Sequence, residues 1–209
     1  MTSLTWFHEE SAHIAGASCI AGIDEAGRGC LAGPVVAGAC IFLRRAAWPE
    51  GLNDSKKLSR KTRQRLFEEI CRSPDIRWGV GEASVEEIDR VNILQATFLA
   101  MGRALAALGG AVDLALIDGS QMPKLPVKVR GLIKGDGCCP SIAAASILAK
   151  ESRDRMMEGA EALFPGYGFS VHKGYGTARH LRALQSLGPC PWHRRTFAPV
   201  AQRLLSFGD

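Results

Sequence analysis

No stretch of this chain is apolar for long enough to cross a membrane, which excludes a helical membrane protein. The opening residues, Met1 to Glu10, lack the basic start and apolar run of a signal peptide, so a cytoplasmic location is expected. No Cys-x-x-Cys pair occurs. The seven cysteines, Cys19, Cys30, Cys40, Cys71, Cys138, Cys139 and Cys190, are odd in number and irregularly spaced. That argues against a zinc site or a disulfide framework and for free thiols in a reducing compartment. Internal repeats, low-complexity tracts and long linkers are also missing. One domain over residues 1–209 is therefore expected, with 1–18 as a loose arm and about 160–209 as a helical C-terminal region. Strong charge of one sign is absent as well. The net charge is only +5, so any nucleic-acid surface depends on where the charges lie.

The most informative stretch is 20–29, Ile-Ala-Gly-Ile-Asp-Glu-Ala-Gly-Arg-Gly. Asp24 and Glu25 close an apolar run, and Gly27, Arg28 and Gly29 follow. Adjacent strand residues point to opposite faces, so both acids can serve one site only where the strand ends or distorts. Acids beside a glycine-rich, positively charged turn suit a divalent metal together with a phosphate.

Residues 19–24 and 34–43 read as buried strands. A helix is predicted over 59–72, capped by Ser59, and a strand over 76–84 with Ile76, Trp78 and Val80 on one face. Residues 85–108 carry apolar positions at three- and four-residue steps, which predicts one long helix ended by Gly109-Gly110. Strands are predicted over 112–117 and 127–133, and an Ala-rich helix over 140–158. The pattern is that of a mixed α/β sheet flanked by helices, its early strands antiparallel and its later ones parallel.

Asp24 and Glu25, Asp118 and Asp136 then share one placement, each following a predicted strand. If the first and fourth strands are parallel neighbours, the four acids meet at one edge, where α/β sheets bind ligands. Carboxylates that close repel one another unless a cation lies between them. Asp118-Gly119 and Asp136-Gly137 taken singly are also ordinary turn dipeptides. The combination points to a site because three separate strand ends each deliver an acid.

These residues carry a family resemblance. The chain resembles the bacterial type 2 ribonucleases H, ribonuclease HII. The matching segments are Gly22-Ile-Asp-Glu-Ala-Gly-Arg-Gly29, Asp54-Ser-Lys-Lys-Leu58, Ile117-Asp-Gly119, Lys134-Gly-Asp136, Ser141-Ile-Ala-Ala-Ala-Ser-Ile-Leu-Ala-Lys150, His172-Lys-Gly-Tyr-Gly-Thr177 and His193-Arg-Arg195. The resemblance implies a ribonuclease H-like mixed sheet. It also implies metal-dependent cleavage, with Mg²⁺ or Mn²⁺, of RNA strands paired with DNA. Cutting 5′ to single ribonucleotides in duplex DNA is implied too, leaving 5′-phosphate and 3′-hydroxyl ends. The family's four acids fall on Asp24, Glu25, Asp118 and Asp136. Its substrate contacts fall on Gly27, Arg28, Gly29, Lys56 and Lys57, and its sugar-reading tyrosine on Tyr175. Cys138-Cys139 departs from the small or polar residues expected after the fourth acid. Neither a catalytic role nor a disulfide is expected of the pair. A non-catalytic binding protein of the same fold would have lost an acid, and none is lost.

The remaining basic run, Arg60 to Arg65, reads as a helix face more than a phosphate track. His172, His180 and His193 lack metal-ligand spacing. Near the C-terminus, Gln202-Arg-Leu-Leu-Ser-Phe207 has the form Gln-x-x-Leu-x-Phe, which resembles the peptide that bacterial sliding-clamp partners use. The competing expectation is a last helix packing Leu204, Leu205 and Phe207 on the core. Nothing in the sequence demands a dimer, so a monomer is expected.

Overall fold

The computed structural model describes residues 4–206, with side chains described through Leu204. In chain order the elements are α1 (Phe7–Ile14), β1 (Ile20–Ala26), β2 (Val35–Phe42), α2 (Arg60–Arg72), β3 (Ile76–Ala83), α3 (Val85–Ala107), β4 (Leu114–Asp118) and β5 (Lys128–Leu132). They continue with α4 (Pro140–Leu163), α5 (Phe169–His172), α6 (Ala178–Leu187) and α7 (Ala198–Ser206).

The five strands form one sheet in the order β3-β2-β1-β4-β5. β1 pairs antiparallel with β2 and parallel with β4, and β4 pairs parallel with β5. The sheet is therefore mixed, antiparallel early and parallel late, as the sequence predicts.

Helices cover both faces. α4 lies on one face, and its alanines, Ile147 and Leu148 pack against Cys40, Leu66 and Ile70. α3 covers the other, with Ala96, Ala100, Met101 and Ala104 against Ala21, Ile23, Ala37 and Ala39. The layers touch through glycines. A Cβ on Gly38 would stand 2.2 Å from the Ala145 carbonyl oxygen, and one on Gly81 would stand 2.4 Å from that of Ala100. Only glycine lets the helix backbones lie directly on the strands.

Two helix predictions change in detail, and one holds. Ser59 caps α2, its side chain accepting from the Thr62 amide, as expected. α3 is not one straight helix. Asn92 breaks it at φ 68°, and its Oδ1 accepts from the amides of Leu94 and Gln95 at 3.0 and 3.1 Å, starting a second segment. Apolar spacing carries across such a break, so periodicity alone does not reveal it. α4 runs five residues past its predicted end, to Leu163.

The expected loose arm over 1–18 is corrected from residue 7 onward. α1 is a helix docked on the start of α4. Its Glu9 is buried and accepts from the Ser141 amide at 3.2 Å, the Ser141 hydroxyl at 2.9 Å and the Cys139 thiol at 3.1 Å. The first-turn amides of α4 lack intrahelical partners, and a carboxylate satisfies them and the helix dipole together. One acid in a polar segment gave no periodic signal for this contact.

Candidate active site

The parallel pairing of β1 with β4 sets Ile23 opposite Ile117, so the carboxyl ends of the two central strands lie side by side. Asp24 follows Ile23, and Asp118 is the last residue of β4. Asp136 sits in a single 3-10 turn, Gly135–Gly137, between β5 and α4. Oxygens of Asp24, Asp118 and Asp136 all lie within 4.8 Å of one another, the one such group among the described residues. The expected convergence of strand-end acids is present for these three.

Glu25 stands apart. Pairing with β4 stops at Ile23, but pairing with β2 continues through Glu25 to Ala26, so both acids still lie inside the β1–β2 ladder. Strand alternation keeps the Glu25 side chain out of the three-acid group, though its charge is near enough to raise the Asp24 carboxyl. The Glu25 carboxylate turns instead to Arg28, 3.2 Å away. Its Oε2 is buried without a partner.

The electrostatics are those of a cation site. Burial holds the Asp24 carboxyl well above its usual range, and Glu25 and Asp118 push it further; the Glu25 amide, 2.7 Å from its Oδ1, opposes them. Burial also raises Asp118, against the Gly135 amide, while Asp136 adds to the rise. Glu25 is raised by burial too, with Arg28 pulling it down. Carboxylates forced together without water resist ionising unless positive charge is supplied. The Lys56 ammonium stands 3.4 Å from Asp136 Oδ2 and supplies some. Burial works against its charge, but Asp136 and Asp24 outweigh that and raise its pKa.

Lys56 is aimed by a local turn in which Asp54 Oδ1 accepts from the Lys56 amide at 2.9 Å. Lys57 reaches Asp54 at 3.9 Å. An open cleft of about 470 Å³ runs between Lys56, Lys57 and Lys134 on its rim and Asp118 and Asp136 at its base. Arg60 and Arg63 are not part of it. Arg60 is exposed and pairs with Glu158 at 2.5 Å, as a solvated helix face predicts, but Arg63 is buried against Glu151 and Asp154, which corrects its reading as part of that solvated face.

Gly27, Arg28 and Gly29 form a loop beyond β1. Gly27 has φ +95°, and a Cβ there would stand 2.0 Å from Arg153 Nε, so glycine is required twice over. Two buried arginines hold the loop's carbonyls. Arg194 donates to Gly27, Arg28, Gly33 and Pro34 at 2.7 to 3.2 Å. Arg153 donates to Ala32, Pro34 and Lys173 at 2.8 to 2.9 Å. Among the described residues the amides of Arg28 and Gly29 make no hydrogen bond. Sequence reasoning missed Arg153 and left Arg194 undecided. Arg153 stands in the charged run Lys150-Glu-Ser-Arg-Asp-Arg155 of α4, so nothing local set it apart.

Tyr175 lies beside this loop. The Leu31 amide donates to the Gly174 carbonyl at 2.8 Å, and Arg153 bridges the Lys173 carbonyl to the loop. The Tyr175 side chain is 45% exposed, with Lys150 Nζ 5.9 Å from its ring centre. Partial burial and the Cys30 thiol raise its phenol pKa. Cys138 and Cys139 are free thiols. Cys139 is the N-cap of α4, facing Glu9, and Cys138 lies 3.5 Å from His8 Nε2. The described part of 202–207 is helical, in α7, and Phe207 lies outside the described residues.

A mixed sheet that brings carboxylates from adjacent strand ends to one point, under a rim of lysines, defines a nuclease of the ribonuclease H-like class. The family model for Ribonuclease HII matches residues 21–200. A curated Ribonuclease HII of Cereibacter sphaeroides is 53% identical over 201 residues, covering 96% of this chain and 93% of its own. Among solved structures, ribonuclease H2 from Pyrococcus horikoshii is similar at a TM-score of 0.75 and 25% identity, covering 91% of this chain and 99% of that one. The RNase HII of an Archaeoglobus fulgidus PCNA:RNase HII complex is similar at 0.72 and 28%, covering 86% and 95%. This chain belongs to the ribonuclease HII family, and its activity is endonucleolytic hydrolysis of RNA in RNA–DNA hybrids. Among the described residues no helix is long and apolar enough to cross a membrane.

Proposed function

We propose that the enzyme also cuts on the 5′ side of a single ribonucleotide in duplex DNA, leaving 5′-phosphate and 3′-hydroxyl ends. The observation that carries this reading is the junction of two units. Asp24 of the carboxylate group lies two residues before the end of β1, the Gly27–Gly29 loop follows at once, and Leu31 beyond that loop bonds Gly174, the neighbour of Tyr175. A selection unit fixed one strand-end from the chemistry can test one nucleotide at a time.

Asp24, Asp118 and Asp136 would hold the divalent cations, and Glu25, with its unpartnered buried oxygen, would complete the set. An all-oxygen donor set suits Mg²⁺ or Mn²⁺. When bound, the cations would activate water and stabilise the leaving 3′ oxygen. The protein's own residues do the rest. Lys56 and Lys57 hold the phosphates flanking the cut. The unpaired amides of Arg28 and Gly29 face the sugar-phosphate and donate to it. Tyr175 places its ring against the ribose, with its hydroxyl near the 2′ position.

The test is cleavage of a duplex with one embedded ribonucleotide, with the cut position and end groups mapped. Cutting on the 3′ side, or no cutting of this substrate while hybrids are hydrolysed, would overturn the reading.

We also propose that the C-terminal segment Gln202–Phe207 docks on a sliding clamp. Its sequence pattern supports this, as does the solved complex of the Archaeoglobus relative with PCNA. Upstream, the fully buried Val200 fixes α7 against Leu31 and Leu184, so the body of the enzyme stays anchored when the end of the helix is engaged.

A further inference from the structure

His172, His180 and His193 are buried together, apart from the carboxylate group, and the chemistry above uses none of them. The rings of His172 and His180 stack at 4.4 Å and 15°. Phe169 packs edge-on against both.

Their hydrogen bonds run in one direction. His180 Nδ1 lies 2.9 Å from the Tyr175 carbonyl oxygen, which can only accept, so Nδ1 carries the proton. In the neutral ring Nε2 is then an acceptor. His193 Nε2, 3.0 Å away, must donate to it. His193 Nδ1 is left to accept, and the Cys190 amide donates to it at 3.0 Å. His172 follows the same logic. Its Nε2 donates to the Tyr167 carbonyl at 2.8 Å, and its Nδ1 accepts from the Gly174 amide at 3.2 Å. Six ring nitrogens each have a partner and a fixed polarity.

The surroundings favour this neutral arrangement. The Tyr167 ring and the Cys190 thiol face His193. The charged neighbours are engaged elsewhere: Lys173 Nζ with Glu158, and Arg194 with the loop carbonyls. Arg179 lies over Gly168, beside His172. Burial holds His180 and His193 below the usual imidazole range, and neighbouring imidazoles add to this.

We propose that this directional chain, from the Cys190 amide through His193 and His180 to the Tyr175 carbonyl, with His172 holding the Gly174 amide, is the positioning device for Tyr175. It fixes the backbone on both sides of the Gly174–Tyr175 peptide, so the half-exposed ring meets substrate in one orientation. The inference rests on the reading of Tyr175 as the sugar-facing residue. The histidines touch no substrate and act through Tyr175 alone.

The test is single-turnover and steady-state cleavage of a duplex with one ribonucleotide. His180→Phe keeps a stacked ring and removes both nitrogens. It is expected to lower kcat about tenfold with KM little changed, the size of one lost neutral hydrogen bond. His180→Asn keeps a donor near the Nδ1 position and is expected to recover most of the rate. Added to Tyr175→Ala, His180→Phe is expected to have no further effect on kcat. A Tyr175→Ala enzyme of normal rate overturns the reading of Tyr175 itself. A slow Tyr175→Ala enzyme made slower still, by the full factor, through His180→Phe overturns only the positioning role. Nitrogen NMR of the unmutated protein needs no variant to fold. Neutral rings with the proton on Nδ1 of His180 and Nε2 of His193 are expected at neutral pH, and mixed tautomers or a charged ring would overturn the chain.

Discussion

Asp118 Oδ1 accepts the Gly135 amide at 2.7 Å, so the acid that ends β4 also holds the turn that carries Asp136. Two members of the cation group are thus coupled before any cation binds. Asp118→Asn removes charge but can keep this bond through its side-chain oxygen. Asp118→Ala loses both. Both variants are expected to lose nearly all cleavage, and the Ala variant is expected to unfold at lower urea, by about 1–2 kcal/mol more than Asn. Equal stability of the two would show that the bond does not hold the turn.

Asp24→Asn is expected to stabilise the metal-free protein at neutral pH while abolishing cleavage. The unfolded carboxyl ionises near 3.8, whereas the folded one keeps its proton to higher pH. Between those values the folded state binds more protons, so stability falls as pH rises and stays reduced above the folded pKa. The gain from Asn should therefore vanish in acid. In Mg²⁺ the order should reverse, because only the unmutated protein gains from binding. Thermal melts in chelator and in Mg²⁺ across pH check all three.

The histidine array has its own acid limit. His193 is lowered from 6.5 to about 4. From pH 6.5 down to about 4 the unfolded chain takes up a proton that the folded chain refuses. Stability should be lost as pH falls through that window, by on the order of 3 kcal/mol at its lower end. His193→Gln should flatten this slope in urea titrations. An unchanged slope would show that the ring is protonated in the folded protein.

Glu9→Ala tests the buried contact between α1 and α4. It leaves the Ser141 amide and hydroxyl unsatisfied, at an expected cost of about 2 kcal/mol in urea unfolding. Because Ser141 begins the helix that follows Asp136, a higher Mg²⁺ requirement for cleavage is expected as well. Changing both Cys138 and Cys139 to Ser should preserve most activity, since the proposed chemistry uses carboxylates and cations and no thiol.

Deleting residues 202–209 should abolish binding to a bacterial sliding clamp while leaving cleavage of free duplex within about twofold, since Val200 and its contacts remain. Surface plasmon resonance with the full-length and truncated proteins decides this. Equal binding by both would remove the segment from the interface.

The sheet and three of its acids were legible because their signals are local. Strands announce themselves by apolar runs, and Asp24, Asp118 and Asp136 each stand where such a run stops. Glu25 was harder to place because its position depends on how far β1 pairs with β2, which is set by a partner strand. The break at Asn92 hides inside an unbroken apolar rhythm. Glu9, Arg153 and Arg194 were illegible for a deeper reason. Each is a charged residue whose meaning lies in carbonyls, amides or hydroxyls more than a hundred residues away, and no spacing rule reaches that far.

The grip of Arg194 on the Gly27–Pro34 carbonyls fixes an order of events during synthesis. By the time residue 150 leaves the ribosome, every acid of the cation group and all five strands have been made. The Gly27–Pro34 loop is then still without Arg153, and it waits for Arg194 for 44 residues more. The acids are therefore all in place before the loop beside them is held. A chain cut short after residue 150 would carry the acids without the two arginines that hold this loop.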